Sequence, residues 1–363
     1  MNEKLYKFRQ FIPITIRRKI LRSFNLSTYR EYSNLMANPY RDDPDRVIYD
    51  NSSKIMGIVY SKHNYHKFWI AACRDLELSY QIIYLDRSDW LKQINQSGCK
   101  TLLVWPDISD EVTKNMQDER LRIANLELNK RIYPSLQEVW LYENKRVQHY
   151  WLNAHGFKTP KTWVFYCLDE AVAFLDQVNY PVVFKSNLGA AASGVYIINN
   201  KKEALKKAKE FLKKGYKVKG EKSIPRQKGS LYVQEYLPNV KEWRMVRIGN
   251  SYFGHGKDMA GQFHSGSGKA NWDMPPQKAF ELLHNVTEKG KFTSMDVDMF
   301  EDEYGNLYIN ELQTVFGNSI AKEQLKIDGI QGRMLRNEDG QYVFEPGDFC
   351  QNHLCNLRLQ YLI

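Results

Sequence analysis

The chain has 363 residues, 43% of them apolar and 13% aromatic, which excludes disorder throughout and leaves material for two or three buried cores. Its net charge of +10 favours anionic partners. No apolar run reaches the roughly 18 residues of a membrane span, and no signal-peptide core precedes a cleavage site, so a cytoplasmic location is expected.

Residues 1–34 carry eight Lys/Arg against Glu3 and Glu31, a local charge of +6. The text LYKFRQFIPITIRRKILRSF mixes these cations with Phe, Ile and Leu. Two readings stand: an arm lying on an anionic membrane surface, peripheral at the inner face, or a basic arm packed on its own domain. Pro13 interrupts any long helix there. Nucleic acid is not an expected partner, because no helix-turn-helix, RRM or zinc-finger pattern accompanies the charge. The turn-forming NPYRDDPDR at 38–46 ends this arm, taken as 1–50.

From Lys54 the chain alternates KIMGIVYS, a Phe68/Trp69/Ala72/Cys73/Leu76 stripe, YQIIYL, a polar helix and KTLLVW. That βαβαβ order predicts a parallel α/β domain over 51–135. A helix over 143–154 stops at Gly156, and TWVFY follows as a strand.

Pro181 to Val195 reads PVVFKSNLGAAASGV: a β-branched run ending on Lys185, a small-residue loop from Gly189 to Gly194, then a second strand. Here the lysine precedes the loop and no GxxxxGK[ST] is present, so a hairpin covering phosphates is expected, not a Walker site. Small residues in a turn between strands are common, so the hairpin gains weight only from the motifs downstream of it in the chain. Lys201–Lys214 presents Ala204, Leu205, Ala208, Phe211 and Leu212 on one face of a helix. These elements form a unit over 136–230, with a basic loop at 218–228.

LYVQEYL, KEWRMVRIG and SYFGHGK predict antiparallel hairpins in a further unit, 231–330. HSGSGK at 264–269 is a loop before a helix near 278–289. MDVDMF and LYINELQ then flank EDEYGN as a last hairpin. It carries Asp298 and Glu311 on its two arms, with Gln313 on the same face as Glu311. Two carboxylates and an amide oxygen form a hard-oxygen set suited to Mg²⁺. Residues 331–363 remain an unassigned C-terminal extension. Its Cys350, His353 and Cys355 lack a fourth zinc ligand, and the odd total of five cysteines fits free thiols rather than disulfides.

The ordered motifs Lys145 in YENKRVQHYW, Lys185 before its Gly-rich hairpin, QEYL at 234–237, EWR at 242–244 and DVDMF…YINELQ resemble the ATP-grasp superfamily of carboxylate–amine ligases. Within it, the chain looks most like ribosomal-protein glutamate ligase and related peptide-type ligases. The resemblance implies an α/β fold in which two α+β subdomains hold ATP between them, after an N-terminal parallel domain. Lys145 and Lys185 match the lysines on the nucleotide phosphates, and Gly189, Ser193 and Gly194 the loop above them. Gln234, Glu235, Tyr236 and Leu237 match the edge that reads adenine, and Glu242 the acid on the ribose. Arg244 matches the arginine at the transferred phosphoryl group. Asp298, Glu311 and Gln313 match the ligands of magnesium, two ions being expected. Gln313 departs from the family's Asn, as does Phe316-Gly317 from its Pro-Gly.

The resemblance implies activation of a carboxylate as an acyl phosphate and attack by an amine. Lys257, His264, Ser265, Ser267 and Lys269 are candidates for binding a small anionic carboxylate substrate. His255 is read as a binding or packing residue rather than an obligate base. A sugar acid or related surface-glycan precursor is the expected acid, with peptide-type ligation as the alternative. A kinase on the same fold, or a nucleotide-binding scaffold without turnover, are rival readings from other classes. Most of the 52 Lys and Arg are solvated surface charge. Lys185 stands apart, since a lysine ending an apolar strand needs a buried partner.

Overall fold

The computed structural model describes residues 44–363 apart from 51, 53, 109, 190–193, 216–226, 260–269 and 317–322. The basic arm, Ser193, His264, Ser265, Ser267 and Lys269 lie outside the described residues, as does most of the basic loop at 218–228.

The first unit contains β1 (Arg46–Val47), β2 (Ile55–Val59), α1 (His66–Asp75), β3 (Ser79–Ile83), α2 (Trp90–Ser97), β4 (Thr101–Leu103), α3 (Glu111–Leu126) and β5 (Arg131–Tyr133). The sheet order is β1-β3-β2-β4-β5, parallel except for β1 at the edge. Near-continuous apolar strands such as IMGIV suit a sheet covered on both faces. One core gathers Phe68, Trp69 and Cys73 of α1, and the other gathers Ile94 of α2 and Leu121 of α3.

Two short helices lead on, α4 (Leu136–Leu141) and α5 (Lys145–Ala154). A Ser135/Glu138 capping box starts α4. The fully buried Glu138 carboxylate also accepts from the amides of Thr293 and Ser294 at 3.0 and 2.8 Å. That one side chain ties the linker to the last hairpin.

The second unit is a four-stranded antiparallel sheet, β6-β9-β7-β8, made by β6 (Thr162–Phe165), β7 (Val182–Lys185), β8 (Val195–Ile198) and β9 (Leu231–Glu235). It is backed by α6 (Leu168–Leu175) and α7 (Lys201–Lys209), whose last turn widens into a π-helical turn at Glu210–Lys214. Lys185 pairs with Val195 across the expected hairpin.

The third unit is an eight-stranded sheet. It comprises β10 (Lys241–Ile248), β11 (Ser251–Lys257), β12 (Ala270–Asn271), β13 (Ser294–Glu301), β14 (Leu307–Gln313), β15 (Lys326–Ile327), β16 (Ile330–Arg336) and β17 (Tyr342–Pro346). Its main path runs β14-β13-β10-β11-β16-β15, and α8 (Gln277–Gly290) covers one face with α5. The C-terminal residues belong to this architecture: β16 and β17 extend the sheet, and α9 (Cys355–Leu362) straddles two cores. Its Leu357 enters the large-sheet core, while Cys355 and Leu359 enter that of the first unit. Among the described residues no helix is long and apolar enough to cross a membrane.

Candidate active site

In an antiparallel sheet, directly opposed residues share a face. Arg244 on β10 lies opposite His255 on β11 and Asp298 on β13, and Asp298 lies opposite Glu311 on β14. The register therefore builds one row, His255–Arg244–Asp298–Glu311, across four strands. Successive strands are about 4.8 Å apart, so the row spans roughly 14 Å.

A β-bulge sharpens the Glu311 end. Asp298 pairs with Glu311 but Met299 with Ile309, leaving Asn310 as the extra residue of β14. Strict alternation would point Asn310 and Glu311 to opposite faces; a bulge re-aims such a side chain. Asn310 Oδ1 accepts from Lys185 Nζ at 2.9 Å, and Glu311 Oε1 accepts from Lys145 Nζ at 2.9 Å. Both expected phosphate lysines thus reach the last hairpin from other elements, β7 and the start of α5.

Lys145 also donates to Gly189 O at 2.9 Å and Glu143 Oε2 at 3.4 Å. Its neighbour Arg146 turns to Ser230 Oγ instead, so Lys145 is the cation of the pair that enters the cluster. Burial opposes the charge of Lys145, but Glu311 and Glu143 outweigh it and hold its ammonium above the ordinary lysine value. Lys185 lacks such close carboxylates, and burial lowers it to about 8. The hairpin loop opens and closes on glycines with φ of 149° at Gly189 and 85° at Gly194, conformations that favour a residue without Cβ.

Toward the other end, Lys257 Nζ donates to Glu242 Oε1 at 2.7 Å and to Asp298 Oδ2. Arg244 Nε lies 3.3 Å from Asp298 Oδ1 and 3.0 Å from Asp296 Oδ2. Burial would raise the Asp298 carboxyl, yet Lys257 and Arg244 bring it down to about 2. His255 is buried, its Nδ1 3.1 Å from Gln324 O and its ring against Trp272. A carbonyl only accepts, so Nδ1 carries the proton. Burial, then Arg244, lowers His255 to about 4, leaving a neutral packing imidazole at pH 7.

The oxygen set Asp298, Glu311 and Gln313 has the hard-donor chemistry that Mg²⁺ takes. Among the described residues, no group of three His, Cys, Asp or Glu side chains is gathered around a single point. The cause is visible: Lys257 and Arg244 hold Asp298, Lys145 holds Glu311, and Gln313 Nε2 donates to Glu143 Oε1 at 3.1 Å. Ammonium and guanidinium groups stand beside the carboxylates, so the donor set fits a cation that displaces them.

The adenine-edge candidates close β9. Glu235 exchanges two bonds with Lys161, its amide donating to the Lys161 carbonyl and its carboxylate accepting from the Lys161 amide. Gln234 Nε2 donates to Thr162 Oγ1, and Tyr236 and Leu237 follow the strand. A cleft of about 410 Å³ opens here between α5 and β6, lined by His149, Lys158, Lys161 and Trp163 among others. A narrower recess beside it is lined by Lys145, Tyr232, Gln234 and Asn310, pointing from this edge to the lysine cluster.

Three residues escaped the sequence reading. Asp296 had a signal, since DVD at period two places it on the face of Asp298. Asn310 had none, because its role follows from the bulge. Glu143 sits before a helix with no pattern to mark it.

No family model matches the chain. Among curated proteins, phosphoribosylamine–glycine ligase of Fusobacterium nucleatum is 31% identical over 107 residues, 30% of this chain and 22% of that protein. The 2-oxoglutarate carboxylase small subunit of Hydrogenobacter thermophilus is 21% identical over 201 residues, 47% of this chain and 40% of that one. The chain thus spans less than half the length of either relative.

Solved structures match over far more. The N5-carboxyaminoimidazole synthetase of Staphylococcus aureus, complexed with ADP, covers 81% of this chain and 85% of its own at a TM-score of 0.55 and 15% identity. The biotin carboxylase domain of the Hydrogenobacter 2-oxoglutarate carboxylase, solved with MgADP, covers 73% and 64% at 0.53 and 14%. D-alanine–D-alanine ligase of Bacillus anthracis, complexed with ATP, covers 72% and 86% at 0.51 and 15%.

The fold is therefore ATP-grasp, the architecture shared by these carboxylate–amine ligases and carboxylases.

Proposed function

We propose that the protein is an ATP-dependent carboxylate–amine ligase. The observation that carries this reading is the row Arg244–Asp298–Glu311 met by Lys145 and Lys185 from two other elements. A substrate carboxylate attacks the γ-phosphorus of ATP, giving an acyl phosphate and ADP. An amine or ammonia then attacks the acyl carbon, phosphate leaves, and the nitrogen gives up a proton.

Each residue has a part in that sequence. Lys145 and Lys185 hold the nucleotide phosphates under the Gly189–Gly194 hairpin, which excludes water from a hydrolysable intermediate. Gln234 to Leu237 border the adenine, and Glu242 is placed for the ribose. Arg244 offsets charge on the transferred phosphoryl oxygens. Asp298, Glu311 and Gln313 would hold Mg²⁺, which would supply Lewis-acid neutralisation of the phosphates. Around the cluster four cations, Lys145, Lys185, Arg244 and Lys257, face the carboxylates of Glu242, Asp298 and Glu311, while burial raises the carboxyl groups of Glu143 and Asp296. The two divalent ions that the resemblance implies would offset the four charges of ATP.

The acid we assign is a sugar acid or related surface-glycan precursor, supported by the +10 net charge and by the cationic Arg244 and Lys257 on β10 and β11, on the side of Asp298 away from Glu311. The basic arm at 1–34 would hold the enzyme at an anionic membrane surface. Its deletion should then abolish sedimentation with anionic vesicles, and unchanged sedimentation removes that part of the reading.

The test is ³¹P NMR of the protein with Mg·ATP, pooled uronic acids, nucleotide-linked uronates and amino acids, and ammonia. ADP with stoichiometric free phosphate, only when acid and amine are both present, is the expected result. A new phosphoester resonance would instead make the protein a kinase, and nucleotide binding without turnover would leave a scaffold.

A further inference from the structure

Asp296 is a buried carboxylate that the ligase reading does not use. It precedes Asp298 by two residues on β13, opposite Gln313 and Val246, and has 0% exposure. Its one ion pair among the described residues is to Arg244 Nε at 3.0 Å, and neither of its oxygens has a hydrogen bond there. Asp296 is thus close to the guanidinium with its acceptor lone pairs unused. A buried acceptor in that condition calls for another state in which it is satisfied.

Arg244 supplies that state. Its contacts to Asp298 are long, 3.3 Å from Nε and 3.5 Å from Nη2, and Asp298 also serves Lys257. Two carboxylate oxygens cannot keep both cations and take a divalent ion. Gln313, opposite Asp296, gives its amide nitrogen to Glu143 and leaves the Asp296 oxygens unbonded. The ring of Phe316, 5.5 Å from the guanidinium carbon, closes off another direction.

We propose that Asp296 is a positioning residue, taking over the Arg244 guanidinium when Asp298 turns to the metal and so holding that cation at the point of phosphoryl transfer. The proposal rests on the ligase reading, because a transferred phosphoryl group is what Arg244 would be held for. It assigns the two acids of DVD different duties: Asp298 changes partner, Asp296 keeps Arg244 aligned.

The test uses the full chain and Asp296→Asn, which keeps shape and removes charge. Calorimetry measures affinity for Mg·ADP alone and for Mg·ADP with aluminium fluoride, a mimic of the phosphoryl group in flight. Wild type should bind tighter with the fluoride. Asp296→Asn should keep Mg·ADP affinity within about threefold and lose roughly tenfold or more of that tightening. Asp296→Glu should restore part of it, and adding Arg244→Lys to Asp296→Asn should cost little more, as expected of two residues acting as a unit. Full tightening in Asp296→Asn overturns the proposal. So does an equal loss for Mg·ADP alone, which would mark a metal ligand or a merely structural acid. Wild type that binds Mg·ADP without any tightening overturns it as well, whereas wild type that binds no Mg·ADP refutes the ligase reading itself and the proposal with it.

Discussion

Lys185 Nζ donates to Asn310 Oδ1 at 2.9 Å, joining the last residue of β7 to the bulged residue of β14. This bond crosses from the small sheet to the large one at the place where nucleotide phosphates are proposed to lie. Asn310 is neutral, so it satisfies the ammonium without neutralising it, and the charge stays available to an anion. Lys185→Ala should therefore weaken ATP binding about tenfold or more, on the order of 1.4 kcal/mol. Asn310→Ala should weaken it by only about two- to threefold, because the cation remains. Calorimetric titration with ATP checks both, and equal losses would mean that the bond matters more than the charge.

Glu311 is the carboxylate that pairs with Lys145 and that the proposal also gives to the metal. Glu311→Gln keeps the shape of the side chain and, by removing a charge that helps keep Glu143 protonated, frees Glu143, 3.4 Å away, to serve as counter-charge for Lys145. The fold should survive while magnesium-dependent ADP formation falls by about 100-fold or more. Circular dichroism and a magnesium titration of turnover are the checks. Wild-type turnover at limiting magnesium would remove Glu311 from the metal set.

Affinity for ATP should also fall above pH 8. Burial lowers Lys185 to about 8, so the unliganded protein loses that cation as pH rises through this value. Burial, then the neighbouring Glu311, pushes Glu143 up to about 8, so a negative charge appears beside Lys145 over the same interval. Both changes disfavour phosphate. A bound anion favours the protonated forms, so binding above pH 8 must take up protons. The Kd for ATP should change little from pH 6.5 to 7.5 and rise above 8 by about tenfold per unit for each proton taken up. Titrations in two buffers of different ionisation enthalpy measure the uptake directly; equal Kd values at pH 7 and 9.5 would contradict the assignment.

The sequence carried the parts of this site that depend on local pattern. Period-two alternation placed Glu311 and Gln313 on one face, and the apolar run before Lys185 marked a lysine in need of a partner. Register was not legible: nothing in KEWRMVRIG says that Arg244 will oppose Asp298 rather than Asp296 or Phe300, since that depends on where two distant hairpins close. The bulge that brings Asn310 to Lys185 was hidden for the same reason. The C-terminal residues stayed unassigned because α9 is apolar toward two separate cores and shows no single stripe.

That last helix yields a prediction about stability. Arg358 on α9 has 0% exposure, donates from Nε to Ser294 Oγ at 2.8 Å and from Nη1 to His353 O at 2.7 Å, and sets its guanidinium 5.4 Å from the Phe316 ring. Arg244 faces the same ring at 5.5 Å, so Phe316 lies between an arginine of the candidate site and one of the C-terminal helix. Ser294 opens β13 and Phe316 follows β14, both at the open end of the hairpin, so Arg358 braces the two strands that bear Asp298 and Glu311 at the end away from their turn. Arg358→Ala removes two hydrogen bonds and leaves a cavity, and should cost about 2–4 kcal/mol in urea unfolding. Arg358→Met, which refills much of the volume without the donors, should recover part of that loss. If both variants unfold at the wild-type midpoint, α9 is not a brace and the β13–β14 hairpin stands on the large-sheet core alone.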